Sequence, residues 1–187
     1  MDAIEALTTR ATAKTYGETP PTKEHLATVL QAAVHAPDHG RLRPWRFMFI
    51  EGSQRRKFGE LLAASAARRI PGLSEGDLQR ERDKAMRAPL IILVACRIVP
   101  ATKVPAIEQI LAAGAAAQNI LLALHALGYA AAWKTGEAAY DTDVKKALGL
   151  AADDHIVGLI YTGGGLGASV APGKAASVQD AMLDFPG

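Results

Sequence analysis

At 187 residues, 49% of them apolar, the chain is long enough for one sizeable hydrophobic core and too apolar for disorder. A net charge of only +2 argues against a nucleic-acid or membrane-surface footprint. The single cysteine, Cys96, excludes an intrachain disulfide and any multi-thiolate metal centre, which fits a reducing compartment. It sits inside the apolar run LIILVAC and reads as a buried structural thiol. The opening MDAIEALTTR carries Asp2 and Glu5 and lacks an apolar signal core, so a cytoplasmic protein is expected.

In chain order, Asp2 is placed to cap a short helix through about Thr8, with Ile4 and Leu7 on one face. A polar segment from Thr9 to Thr22 follows, and Thr22 caps a second helix whose Leu26, Val29, Leu30, Ala33 and Val34 recur at helical spacing. Pro37 limits that helix. After the loop APDHGRLRP, WRFMFI reads as a strand with Phe47 and Phe49 on one side. Ser53 opens a third helix with Phe58, Leu61, Leu62 and Ala66 on a shared face, ended by Pro71–Gly72. Ser74 and Asp77 form a capping-box pattern for a charged fourth helix that stops near Pro89. LIILVAC is a bounded, branched apolar run, as a central strand requires.

The longest element is the helix opened by Pro105 and stopped by Gly128. Apolar residues cover most of its circumference, so burial on nearly all sides is expected. Glu108, Gln109, Gln118, Asn119 and His125 interrupt it too often for a membrane span. YAAAW then reads as a short buried strand, Asp141 caps a sixth helix ending at Gly149, and HIVGLIYTG is a further buried strand. Irregular alternation of helices and strands predicts an α+β domain, a sheet with helices on both faces.

Three residue sets have the pattern of a chemical site. Gly163, Gly165 and Ala168 match a G-x-G-x-x-A fingerprint, but Pro172–Gly173 blocks the helix that a dinucleotide pyrophosphate needs. A glycine-rich turn ending a strand is the better account. His35 and His39 stand four apart, yet Pro37 separates them and no third ligand has suitable spacing, so no metal site is expected. Arg10, Thr12 and Lys14 alternate, and in extended chain they point the same way, two cations and a hydroxyl converging on a phosphate. A solvated connection between two helices is the competing reading of that segment.

These residues stand in an order that resembles the FMN-dependent nitroreductase family, in particular its short YdjA-like subgroup of NAD(P)H nitroreductases. LTTRATAK resembles the family's phosphate segment through Arg10, Thr12 and Lys14. APDHGRLRPWRF resembles a loop that usually ends in glutamine–proline–tryptophan. AAQNILLALHALGYAAAW resembles the long central helix and its glycine turn, and HIVGLIYTG the late strand. Together they span about residues 1–165.

The resemblance implies a three-layer α/β/α fold, with a mostly antiparallel central sheet flanked by helices. It implies a single domain over 1–187, with a tail from about 164 of open course. It also implies an intertwined homodimer with two FMN molecules at the subunit interface. Arg10, Thr12 and Lys14, with the backbone of Ala11, are expected to hold the phosphate and ribityl chain. Pro37, Asp38 and His39 are expected to reach the same flavin from the partner subunit, with His35 close by. Trp133, Lys134 and Thr135 are expected along the isoalloxazine ring.

The implied activity is ping-pong reduction of nitroaromatics, quinones or similar acceptors with NAD(P)H, the flavin doing the chemistry and no side chain serving as catalytic acid or base. The same fold also carries dehalogenating and flavin-degrading members, and a non-catalytic flavin-binding dimer is a further alternative. The chain departs from the family pattern at Arg43, where glutamine is usual, and at Gly164 and Gly165, where a proline is common. Lys174 is the only late basic residue left to assist a phosphate.

Overall fold

The computed structural model describes residues 1–165, 177, 181 and 182 of the chain. Gly167, Ala168, Pro172, Gly173 and Lys174 lie outside the described residues. Four strands form one antiparallel sheet in the order β1-β2-β4-β3: β1 is Trp45–Glu51, β2 Leu90–Cys96, β3 Tyr129–Lys134 and β4 His155–Gly164. Every residue of β2 is buried, which is why LIILVAC shows no polar alternation. Its odd and even positions nevertheless serve two cores. Leu90, Ile92, Val94 and Cys96 face one helical layer, and Ile91, Leu93 and Ala95 face the other.

The first layer holds α2 (Lys23–Ala33) and α5 (Ala106–Ala126), with α1 (Ala3–Thr9) against α5. The second holds α3 (Gln54–Arg69) and α6 (Thr142–Ala147), with α4 (Glu75–Lys84) against α3. The α+β architecture with helices on both faces is therefore present, and Phe47 and Phe49 share the α5 side of β1. Asp2, Thr22 and Asp141 cap their helices through side-chain oxygens, and Ser74 and Asp77 form a complete capping box. Ser53 differs: its backbone is already helical and its side chain makes no capping bond, so α3 starts from the Gly52 turn. α4 ends at Lys84, before Pro89, because the chain must turn through residues 85–89 to enter β2.

The expected all-round burial of α5 is not met within one chain. Ala112, Ala113, Ala116, Ala117, Ile120 and Leu124 are buried, and the four alanines let the sheet and α2 come close. The opposite stripe stays open, with Ile107 59% and Leu111 64% exposed. Ile4 and Leu7 do share a face of α1, but it is uncovered too, at 69% and 53%. The sheet, α2 and the short α1 cover only part of the α5 surface, so a helix apolar all round keeps an unpartnered side. Each of these side chains would gain about 1.5–3 kcal/mol on full burial.

Polar residues of α5 are used with specific partners. Gln109 is 3% exposed and fully bonded: its Oε1 accepts from Val99 N–H at 2.8 Å, and its Nε2 donates to the Val99 and Val104 carbonyls at 3.2 Å each. Asn119 donates to the Ala32 carbonyl at the end of α2, 3.0 Å away. Gln118 is half-exposed and lies on the open stripe.

Candidate active site

The Arg10–Lys14 segment hooks around an edge of the sheet. α1 ends at Arg10, whose backbone turns extended (φ −57°, ψ 128°). Ala13 N–H then donates to the Ala131 carbonyl on edge strand β3, 2.9 Å away. Two further backbone bonds fix the continuation to the end of β4. Gly17 N–H donates to Gly164 O at 2.8 Å, and Gly164 N–H to Thr19 O at 2.7 Å. The chain thus starts on the α5 side and delivers Tyr16 to the α3 side, where its ring sits 6.4 Å from that of Tyr161. Thr12 and Lys14 are exposed while Ala11 and Ala13 are half-buried, the alternation that extended chain imposes. Among the described residues, the side chains of Arg10 and Lys14 have no hydrogen-bond or ion-pair partner.

Glycines at 163–165 serve this crossing. A Cβ on Gly163 would lie 2.3 Å from Gly17 O and 2.8 Å from Pro89 Cδ. A Cβ on Gly17 would meet Gly164 O at 2.9 Å. Of the residues that resemble a nucleotide fingerprint, Gly163 therefore sits at a backbone crossing, and Gly165 lies against Gly128 O, where a Cβ would be 2.5 Å away.

Trp133, Lys134 and Thr135 leave β3 beside the hook. The Trp133 indole N–H is already bonded, donating to the Val157 carbonyl at 3.1 Å, and the ring is half-buried. Val157 is the residue that the β4 bulge leaves out of register with β2. The indole lies over Gly158, where a Cβ would be 2.0 Å from Nε1. Lys134 and Thr135 are exposed at the strand end.

Thr135 and Gly136 rim a cavity of about 440 Å3 between the strand end, α3 and α4. Its floor includes Leu62, Leu159 and Tyr161, and its outer wall carries Lys84. Lys84 pairs with Glu81, Nζ to the two carboxylate oxygens at 2.5 and 2.6 Å. α4 is held close to α3 because Gly59 packs under the Arg82 carbonyl, where a Cβ would be 2.8 Å away. Burial pushes the Tyr161 hydroxyl up to about 12, with the Arg87 charge opposing and Tyr16 reinforcing, so it stays a neutral donor at neutral pH. Burial likewise pushes the Cys96 thiol up to about 11, helped by Asp154 and opposed by Arg46, so it is no nucleophile.

Sequence reasoning missed Tyr161 and Lys84. The strand alternation around HIVGLIYTG was enough to place Tyr161 on one face, but not to say what lay there. Lys84 ends a charged helix, a position that normally signals only a solvated surface.

His35, Pro37, Asp38 and His39 lie elsewhere in the chain. Asp38 organises its own loop, its carboxylate accepting from Arg43 N–H at 2.7 Å and its carbonyl from Arg41 N–H at 3.1 Å. Gly40, Arg41 and Arg43 take left-handed backbone (φ 72°, 54° and 49°), which is strained for the two arginines. His35 Nδ1 meets the Gln31 carbonyl at 2.7 Å, and His39 Nδ1 pairs with Glu108 Oε2.

Glu108 opens α5, whereas His125 in its last turn bonds Thr9 beside the hook at 2.9 Å. The length of α5 between them is roughly 25 Å. One chain thus brings Arg10–Lys14 together with Trp133–Thr135 and holds the His35–His39 loop at the far end of the helix.

The match with known proteins covers both the sequence and this fold. The profile of the Nitroreductase family matches residues 7–164. The chain is 36% identical over 163 residues to YdjA of Escherichia coli (strain K12), which carries the name of an NAD(P)H nitroreductase, across 87% of this chain and 88% of that one. It is 35% identical over 167 residues to a similarly named protein of Haemophilus influenzae, across 89% and 90%. Among solved structures, a nitroreductase-like protein from Bacillus cereus superposes with a TM-score of 0.83 at 23% identity, covering 100% of this chain and 97% of that one. A nitroreductase-type protein from Desulfovibrio desulfuricans, solved in complex with FMN, superposes with a TM-score of 0.76 at 24% identity, covering 100% and 98%. At such identities the solved structures speak for the fold alone, while the profile and the curated relatives decide the family: this chain belongs to the Nitroreductase family.

Proposed function

We propose that the protein is an FMN-dependent oxidoreductase that takes electrons from NAD(P)H and passes them to nitroaromatics, quinones or similar acceptors in ping-pong fashion. The observation that carries this reading is the Arg10–Thr12–Lys14 hook, its two cations unpaired among the described residues, fixed by Ala13 to the strand that ends at the Thr135 cavity. FMN in the Desulfovibrio protein and NAD(P)H in the name of YdjA agree with it.

The residues present fit an FMN. Arg10 and Lys14 supply charge-assisted donors for a phosphate, with the Thr12 hydroxyl and Ala11 N–H beside them. The bond from Ala13 to Ala131 holds their spacing at a fixed distance from the β3 end. Thr135 and Gly136 offer backbone polar groups to a ring edge, and Leu62 and Leu159 keep water from the floor. Lys84 stands on the wall paired with Glu81, and Tyr161 keeps its proton there. When bound, FMN supplies the hydride and electron transfer, which is why no acid–base dyad is needed.

The functional unit is a homodimer. The open stripe of α5 with the exposed face of α1 is its contact surface, and the 36–44 loop of the partner subunit completes the flavin site. This accounts for a predicted site whose two halves lie at opposite ends of α5 in one chain.

The purified protein should be yellow with an oxidised-flavin spectrum, bleach anaerobically with NAD(P)H and recover with a nitroaromatic or quinone. A colourless sample that stays colourless after incubation with FMN overturns the reading. Arg10→Ala should weaken FMN binding by about 1.5–3 kcal/mol, the worth of one charged hydrogen bond, in a flavin-fluorescence titration.

A further inference from the structure

Past the hook, where the chain leaves Tyr16, a second cavity of about 460 Å3 opens against the turn before β2. Arg55, Arg87, Tyr16 and Glu18 line it. Arg55 gives Nη1–H to the Ala88 carbonyl at 3.0 Å. Its Nε–H is buried and finds no acceptor among the described residues. A buried donor on a cation is costly to leave unbonded.

Two other arginines of this layer are fully paired. Arg68 holds Asp141 and Asp143, and Arg82 holds Glu60 and Glu75. Arg55 and Arg87 have no carboxylate at ion-pair distance among the described residues, although Glu18 shares their cavity. α3 adds to the imbalance. Its first turn carries Arg55, Arg56 and Lys57, no acidic residue and no side-chain cap, at the positive end of a 16-residue helix. Of these groups, the guanidinium charges of Arg55 and Arg87 face one cavity, and an anion there neutralises both.

We infer that Arg55 and Arg87 form an anion subsite, distinct from the Arg10–Lys14 set, that receives a phosphate or carboxylate group of a small-molecule ligand. Tyr16 lines this cavity and packs on Tyr161, which lines the cavity under Thr135, so the two spaces are neighbours. The phosphates of NAD(P)H, or a carboxylate on an aromatic acceptor, need a counter-charge beside the reaction site. That assignment of the ligand rests on the proposed function; the anion subsite itself does not.

The test is calorimetric titration of pyrophosphate into the full chain, loaded with FMN so that the hook is filled, in wild type, Arg87→Gln and Arg55→Gln. Arg87 is exposed and without a described partner, so its variant keeps the fold intact even where loss of the Arg55–Ala88 bond does not. Wild type should bind, and Arg87→Gln should weaken binding at least tenfold without loss of flavin. Equal affinity in all three, or flavin lost together with pyrophosphate binding, overturns the separate subsite.

The same titration on colourless protein separates the two proposals. Pyrophosphate binding that needs Arg87 in a protein that takes no FMN sinks the flavin reading and leaves the subsite standing. Steady-state kinetics then identifies the source of the anion. A raised KM for NADPH in Arg87→Gln points to nucleotide phosphate, and a raised KM for nitrobenzoate but not nitrobenzene points to an acceptor carboxylate.

Discussion

The two ends of α5 are built on opposite plans. At its C-terminal end, the chain from Arg10 to Thr19 is tied to β3 and β4 by backbone hydrogen bonds, and the side chains of Arg10, Thr12 and Lys14 have no partner among the described residues. At its N-terminal end, the loop around His39 is tied down through its side chains, Asp38 onto its own loop and His39 onto Glu108. The first end keeps functional groups free because main-chain bonds do the holding. The second spends its side chains on holding a strained loop in shape, as a surface that must be rigid before it meets something else requires.

If both ends serve one site, they come from two chains. Leu111→Arg places a charge in the middle of the open stripe and should abolish the dimer, and the flavin with it, as read by sedimentation equilibrium and flavin content. A dimer that survives this change does not use the α5 stripe. Next in size is complementation. Arg10→Ala and His39→Ala chains refolded together should form heterodimers with one intact site each. About a quarter of wild-type flavin content should return from random pairing, where each variant alone is depleted. No recovery would place both residues in a site made by a single chain.

Gly163→Ala probes the holding of the hook end. Its Cβ would press on Gly17 O and Pro89, so the backbone crossing must shift at a cost of about 1–3 kcal/mol in denaturant unfolding, with looser flavin retention. A neutral outcome would mean that the hook tolerates displacement. Gly114→Ala has the smallest expected effect and tests the stripe. Nothing lies within 4 Å of a Cβ there in one chain, so helix propensity alone predicts a gain of about 1 kcal/mol. Close approach of a partner helix reverses that sign, and weaker dimerisation of the variant is the expected result.

Much of the fold was legible in the sequence. Caps at Asp2, Thr22, Ser74 and Asp141, the stop at Gly128 and the run LIILVAC report local physics, and each is found where that physics puts it. The Arg10–Thr12–Lys14 alternation was legible because extended chain has period two. Lys84 and Tyr161 were not legible as cavity residues, since each has an ordinary local context and acquires its place only when α4 packs on α3 beside the sheet. The role of Gln109 was hidden for the same reason: its partners, Val99 and Val104, are offered by a loop that no propensity describes.

The sequence alone therefore determined which segments are helices and strands, which residues are cations free of local partners, and the family to which the chain belongs. Those are set by capping, periodicity and residue type within a few positions of one another. Tertiary structure decided which of those residues meet. The hook joins the β3 turn through one bond between residues 118 positions apart, Ala13 to Ala131, while the length of α5 holds the His39 loop away. Such long-range pairings follow from how two cores close on the sides of one buried strand, and no local pattern encodes them.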